Sequence, residues 1–423
     1  MKVTGIIAEY NPFHNGHEYH LNMARESTGC DYVVVVMSGN YVQRGAPTII
    51  DKYARCEMAL RCGADLVLEL PACFSTASAE YFAYGGVVIL DKLGCVDSLS
   101  FGTESLDGAV RSEESAAAIN SHFSEIADLL LNETEEFKEI LRTGLKNGMT
   151  HAAATAAAVG EILGEENKRI LETSNNILGV EYIKAIKRSG SAIKPVPVAR
   201  MLASHTDRAI MDGFSSATAI RNAIYNSYDM TSLASTVPQA AFDILMDRYL
   251  VSFPVFRDDF SMILGSKIIS AESPDVYRKY FGINEDLANR IFNHKNEFRS
   301  FNQFRELIGS KNIARPTVGR ALMHITLDIM AADMERLYNK ESLKAVKVLG
   351  FKETAAPLLS EIKQKGSIQL VTKLADYVPE NESGADMIDQ TTRADMFYRM
   401  VCMNKYDVDI KTPWGQSVII LPE

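Results

Sequence analysis

Two histidines, His14 and His17, flank Gly16 near the start of the chain. Neutral imidazoles donate hydrogen bonds to phosphate oxygens without carrying a permanent charge. The glycine between them removes a Cβ that would obstruct close backbone approach. A lone histidine here would as readily be a cap or a packing residue, but the pair around a glycine points to phosphate chemistry. Much later, Phe214-Ser215-Ser216-Ala217-Thr218-Ala219-Ile220-Arg221 gathers hydroxyls, N–H groups and a guanidinium, a set that suits an anion. Plain helix capping would also account for its serines.

These residues need elements to hold them. The apolar run Val3 to Ala8 reads as a buried strand, Asn11-Pro12 breaks it, and a helical pattern starts at about Gly16. The histidines therefore stand at a helix N-terminus, where free N–H groups and the helix dipole favour phosphate. Tyr32–Met37 reads as a second buried strand, and Ser38-Gly39-Asn40 and Gln43–Pro47 follow it as a loop. Arg44 in that loop is either a phosphate ligand or a surface residue. Asp51–Cys62 has helical spacing, Asp65–Pro71 reads as a third strand, and Ser75–Gly85 as helix; a Val87–Leu93 segment and the stretch Ser98–Glu104 come next. Strand alternating with helix predicts an α/β fold: a Rossmann-like domain with a parallel sheet.

Gly102, just past a strand, is a turn residue or a point where backbone meets ligand. Helical runs cover Glu113–Leu131, Thr134–Leu145 and Ala152–Leu163. Ser174-Asn175-Asn176 opens another helix, either as caps or with an amide aimed at a ligand. A Pro-punctuated strand, Lys194–Val198, leads to Arg200. Beyond about residue 235 the pattern is mainly helical, with segments at Leu287–Phe298, Phe301–Ile308 and Arg320–Leu337. Lys347–Phe351 and Ser367–Lys373 read as loop and strand pieces, Pro379–Gly384 as a polar stretch, and Trp414–Leu421 as a closing strand. The expected division is a catalytic domain over residues 1–235 and a mainly helical domain over 236–423.

Composition is that of a soluble globular protein, with 47% hydrophobic and 23% charged residues. The sequence shows no apolar run long enough to span a membrane and no cleavable signal. The six cysteines form no CxxC pair, so reduced thiols and a cytoplasmic location are expected. A net charge of −10 argues against general nucleic-acid binding. From Arg257 to Lys373, however, 19 Lys/Arg face 14 Asp/Glu, as an RNA-binding surface or a solvated helical one would.

His-Asn-Gly-His resembles the HxGH signature of the nucleotidyltransferase superfamily, and Ser215–Arg221 is similar to its second signature, ISSTxIR. The longer Glu9-Tyr10-Asn11-Pro12-Phe13-His14-Asn15-Gly16-His17 resembles the opening of the bacterial tRNA(Met) cytidine acetate ligase family, a likeness that runs through nearly the whole chain. The resemblance implies activation of acetate by ATP to acetyl-adenylate, then acetylation of N4 of the wobble cytidine of elongator tRNA(Met). It implies ATP contacts from Ile7, Ala8, Glu9, Tyr10, Asn11, Pro12, Phe13, His14, Asn15, Gly16, His17, Glu18, Tyr19 and His20, with Gly102, Asn175 and Arg200. The superfamily signature adds Ser216 and Arg221, and His14, His17 and Arg221 are the expected catalytic groups. Mg²⁺ is expected with ATP, with no protein metal ligand assigned; neither a membrane nor a protein partner is expected.

Three stretches depart from the family pattern: Met149-Thr150-His151 for Ser-Tyr-Pro, His205-Thr206-Asp207 for Tyr-His-Asp, and Lys311-Asn312-Ile313-Ala314 for Lys-Arg-Tyr-Thr. They leave room for a different acceptor. The competing readings are another HxGH enzyme, either a small-molecule adenylating ligase or a cytidylyltransferase, and a catalytically inactive RNA- or nucleotide-binding relative.

Overall fold

Four consecutive valines show how the sheet is buried. Val34 and Val36 face one core with Leu66, Leu68 and Leu90. Val33 and Val35 face the other with Leu21, Ala59 and Ile220. Alternate side chains of a strand point to opposite faces, so a strand covered on both sides is apolar throughout.

A computed structural model describes residues 1–104, 113–200, 213, 215–227, 230–310, 313–379 and 382–422. The 205–207 departure, Phe214, Lys311, Asn312 and residues 380–381 lie outside the described residues. The principal strands are β1 (Val3–Ala8), β2 (Tyr32–Ser38), β3 (Leu66–Leu70), β4 (Ser98–Thr103), β5 (Lys194–Ala199), β6 (Ala345–Lys352), β7 (Gln369–Val371) and β8 (Ile419–Leu421). They form one sheet in the order β8-β6-β3-β2-β1-β4-β5, with β7 also paired to β6. The segment β3-β2-β1-β4-β5 is parallel throughout and has the doubly wound order, which is the expected Rossmann-like α/β architecture.

Strand β6 comes from the C-terminal half and runs antiparallel to β3, with Leu66 opposite Phe351. The Lys347–Phe351 piece is therefore an integral strand of the main sheet. Three other boundaries differ from the sequence reading. Val87–Leu93 is the end of a helix, Ala79–Lys92, and not a separate segment. The helix over Ser174–Ser189 takes Thr173 as its N-cap, since Asn175 and Asn176 bond elsewhere. The single helix expected over Arg320–Leu337 is two, Arg315–Leu327 and Ala331–Leu337. Asp328 breaks it by adopting φ +56°, a conformation that a short carboxylate side chain tolerates, and its carboxylate lies 2.6 Å from Lys267. In the altered 149–151 stretch, Thr150 caps the helix His151–Leu163, accepting from the Ala153 N–H.

Among the buried polar contacts that join the halves of the chain are two that centre on ionisable side chains, Lys52 and His324. Lys52 Nζ donates to both oxygens of Glu69, at 2.6 and 2.7 Å, and to Asp395 of the long helix Glu382–Tyr406. Asn40 Nδ2 holds the other Asp395 oxygen at 2.9 Å. Burial opposes the charge on Lys52, but Asp395 and Glu69 outweigh it and raise its pKa. His324 is the second contact: Nδ1 lies 2.7 Å from the Phe281 carbonyl and Nε2 lies 3.2 Å from Thr76 Oγ1. Burial pushes its pKa down to about 4.

Replacing Lys52 by Met takes the shared cation from two buried carboxylates and should lower the unfolding free energy by about 3–5 kcal/mol in urea titrations. A fall of less than about 1 kcal/mol would mean that the carboxylates reach water. For His324, the folded pKa lies below the unfolded value, so its contribution is intact above pH 6.5 and is lost as pH falls towards about 4. His324→Gln should flatten the stability–pH curve in that window by up to about 1.4 kcal/mol per pH unit. An equally steep curve in the variant would show that the ring does not stay neutral.

Candidate active site

The junction of β1 with the helix Asn15–Thr28 is built around reciprocal backbone capping by imidazoles. His14 is the N-cap, and its Nδ1 accepts from the Gly16 N–H at 3.1 Å. His17 Nδ1 accepts from the His14 N–H at 3.2 Å. The rings stack with centroids 3.6 Å apart. With both Nδ1 atoms accepting, each neutral ring carries its proton on Nε2, which makes Nε2 the donor. A Cβ on Gly16 would stand 3.0 Å from the His14 ring, so glycine is what lets the ring lie over its own helix end.

Below the histidines, Tyr10 and Phe13 are buried, with ring centroids 4.8 and 5.5 Å from His17. His20 Nε2 lies 3.0 Å from Ser100 Oγ on β4. Burial, with Arg200 nearby, lowers its pKa to about 4, so its ring is neutral at pH 7.

A cleft at the carboxyl ends of β1 and β4 is lined by Ile7, Ala8, Glu9, Tyr10, His14, Gly16, His17, His20, Gly102, Asn175 and Arg200. Phe101, Leu178 and Tyr182 complete it with apolar surface. The tandem asparagines divide their work. Asn176 Oδ1 accepts from Thr103 Oγ1 at 2.8 Å and the Glu104 N–H at 2.9 Å, which closes the end of β4. Asn175 Oδ1 accepts from Arg200 at 2.8 Å while its Nδ2 donates to Glu104. Arg200 is thus aimed across Gly102, where a Cβ would stand 3.1 Å from Arg200 Cγ. Neutral donors, a helix N-terminus, one oriented guanidinium and an apolar wall together suit a nucleotide.

Other expected residues lie outside this lining. Asn11 Oδ1 accepts from the Ile49 N–H at 2.8 Å, Pro12 is buried, and Asn15 Nδ2 donates to the Gly213 and Ser235 carbonyls. Glu18 and Tyr19 are on the same helix without lining the cleft. Ser216 Oγ accepts from the Ala219 N–H at 3.1 Å, the capping role. Arg221 donates to the Asn11 carbonyl at 2.6 Å and faces a separate, neighbouring cavity; burial lowers its pKa to about 10.

A model of the HIGH Nucleotidyl Transferase family matches residues 1–412. The tRNA(Met) cytidine acetate ligase of Acetivibrio thermocellus is 38% identical over 384 residues, 89% of each chain. That of Clostridium novyi is 36% identical over 419 residues, 97% of this chain and 98% of its own. This chain belongs to the tRNA(Met) cytidine acetate ligase family. Crystal structures of Thermotoga maritima TmcAL superpose over all of both chains, the apo form with a TM-score of 0.91 and 32% identity. The form bound with alpha-thio ATP gives 0.88 and 31%. As a member of this ligase family, the chain is an enzyme built on a nucleotidyltransferase fold.

Sequence reasoning passed over one residue on which this ligase-family site rests. Arg55, fully buried, donates to the carbonyls of Ile50 (3.1 Å), Glu9 (2.7 Å), Ser38 (3.0 Å) and Gly39. Its signal was an arginine among Ala54, Cys56, Met58, Ala59 and Leu60, where a surface residue does not belong.

Gly102→Val would force Arg200 off its line, because branched methyls cannot share the space its stem occupies. ATP affinity, measured by titration calorimetry, should fall about tenfold, or about 1.4 kcal/mol. Unchanged affinity would separate Arg200 from nucleotide binding.

Proposed function

We propose that this chain activates acetate with ATP and transfers the acetyl group to N4 of the wobble cytidine of elongator tRNA(Met), forming N4-acetylcytidine. The observation that carries the proposal is the histidine pair, whose Nδ1 atoms are taken by backbone N–H groups. This makes Nε2–H a hydrogen-bond donor on each ring at a helix N-terminus. An acetate oxygen attacks the α-phosphorus, the bond to the bridging oxygen breaks, and pyrophosphate leaves. Carboxylate is a nucleophile at neutral pH, so this step requires no general base. It requires two anions to be oriented and the charge growing on phosphate to be stabilised. His14, His17 and the helix end do this at the α-phosphate, and Arg200 holds the nucleotide. Arg221 holds the Asn11 carbonyl of the loop that leads to the histidines, and Ser216 caps the helix that carries Arg221.

In the second step the cytidine amine attacks the acetyl carbonyl, its proton is lost, and AMP leaves. A base in a single-stranded anticodon loop can reach the cleft without melting a helix. ATP activation is the task of residues 1–235, and tRNA binding that of 236–423. Among the described residues no group of three or more His, Cys, Asp or Glu side chains is arranged to hold a metal. Mg²⁺ would enter with ATP, where it would offset charge on the phosphates. Among the described residues no helix is long and apolar enough to cross a membrane. A substrate set of ATP, acetate and tRNA goes with a cytoplasmic enzyme.

The test follows radiolabelled acetate into tRNA(Met) transcript, with ATP, Mg²⁺ and each component omitted in turn. Label that depends on ATP and follows the wobble cytidine on nuclease digestion is the expected result. Pyrophosphate release without labelled RNA would reject this acceptor. His17→Ala should keep its circular dichroism spectrum and lose about 10²–10³ in acetate-dependent ATP–pyrophosphate exchange. Exchange at the wild-type rate would remove His17 from the site.

A further inference from the structure

On the far side of the Glu9–Phe13 loop from the histidine cleft lies a cavity of about 480 Å³, with Glu9 in the lining of both. Arg44, Arg221, Arg257, Arg305 and Arg315 all line it, and among the described residues Glu9 is the only carboxylate that does. These arginines come from four distant parts of the sequence. Arg44 is on the turn of the hairpin Tyr41–Val42/Ala46–Pro47, and Arg221 on the helix Ala217–Ser227. Arg257 opens a short helical turn, Arg305 is on the helix Phe301–Leu307, and Arg315 begins the helix Arg315–Leu327. Glu306, next to the cavity, pairs with Arg305 at 2.7 Å and Arg315 at 3.1 Å, which still leaves a marked excess of positive charge.

The cluster is built rather than incidental. Arg257 Nε donates to the Gly45 carbonyl at 2.9 Å and its terminal nitrogen to the Arg44 carbonyl at 3.0 Å. The same turn is pressed against the helix Arg315–Leu327: a Cβ on Gly45 would stand 2.1 Å from the Gly319 carbonyl carbon. Burial, then Arg305, Arg221 and Arg44, lowers the Arg257 pKa to about 9, the mark of like charges held together. The Arg305 Nε is buried and meets no acceptor among the described residues. Guanidinium groups assembled at such cost, with too few carboxylates, suit an anion of several oxygens, and their planar forks match phosphate.

We propose that this cavity binds phosphodiesters of the acceptor RNA flanking the nucleotide to be acetylated, a role that rests on the acetyl-transfer reading above. The geometry favours RNA over the nucleotide's own phosphates. The linings of the cavity and the histidine cleft have only Glu9 in common among the described residues, and three of the five arginines, Arg257, Arg305 and Arg315, come from the part of the chain beyond residue 235. An acceptor base that enters the cleft brings its neighbouring phosphates past the Glu9–Phe13 loop.

Arg305→Gln and Arg257→Gln, each in the full chain, test the proposal. Affinity for the tRNA(Met) transcript is measured over a KCl series, and acetate-dependent ATP–pyrophosphate exchange is measured without RNA. RNA affinity should fall about tenfold in each variant. The slope of log affinity against log salt should become shallower by about 0.7 for each phosphate no longer neutralised, the value for single strands. Exchange should stay within about twofold of wild type. Loss of exchange with unchanged RNA affinity would overturn the proposal and give the cavity to the β- and γ-phosphates of ATP. Wild-type values of both in the Arg305 variant, whose partner Glu306 remains, would make the cluster structural. Arginine-dependent RNA binding by a wild-type protein with no exchange would uphold the subsite and reject acetate activation.

Discussion

Arg55 is the constraint from which the candidate active site takes its shape. Four backbone carbonyls, at the ends of β1 and β2 and before the next helix, converge on one guanidinium that has no solvent exposure. The carbonyl dipoles satisfy its N–H groups and the charges of Asp51, Glu69 and Glu9 act on it from nearby, yet burial lowers its pKa to about 10. Two loops that would otherwise diverge from a parallel sheet are thereby held side by side. The Glu9 carbonyl is one of the four, so the loop that leads to His14 inherits its position from Arg55. Asn11 and the Arg221 guanidinium then hold that loop from the opposite side.

On this base the histidine pair uses its backbone-facing nitrogens for structure, and that choice determines the chemistry left to the other nitrogens. Each ring is locked by a hydrogen bond it accepts, so the donor geometry exists before any ligand arrives. Preorganised donors of this kind stabilise developing charge without reorganisation during the reaction. Asn175 and Glu104 do the same for Arg200 from the other edge of the cleft.

Local signals made much of this legible. Continuous apolar runs revealed strands covered on both faces, and Glu113–Leu131 was readable to the residue because its helical spacing is uninterrupted. The histidine motif was readable because its parts are adjacent in sequence. What escaped depends on distant partners. Arg55 lies in a helix whose spacing says nothing about four carbonyls elsewhere. The break at Asp328 goes with an ion pair to Lys267, about 60 residues upstream. Lys347–Phe351 is a short apolar stretch whose role depends on an open edge at Leu66–Leu68. The five-arginine cavity is assembled from segments that only the tertiary fold brings together.

The antiparallel strand β6 also bears on synthesis. On the ribosome, β3 emerges long before Ala345–Lys352, so the N-terminal sheet spends most of translation with that edge unpaired. Exposed edges invite pairing with other chains, and nascent segments that wait for a distant partner are where chaperones act. The pairing that completes the sheet has a very long sequence separation, which slows its formation. A product that stops before Ala345 would present the Leu66–Leu68 edge unpaired.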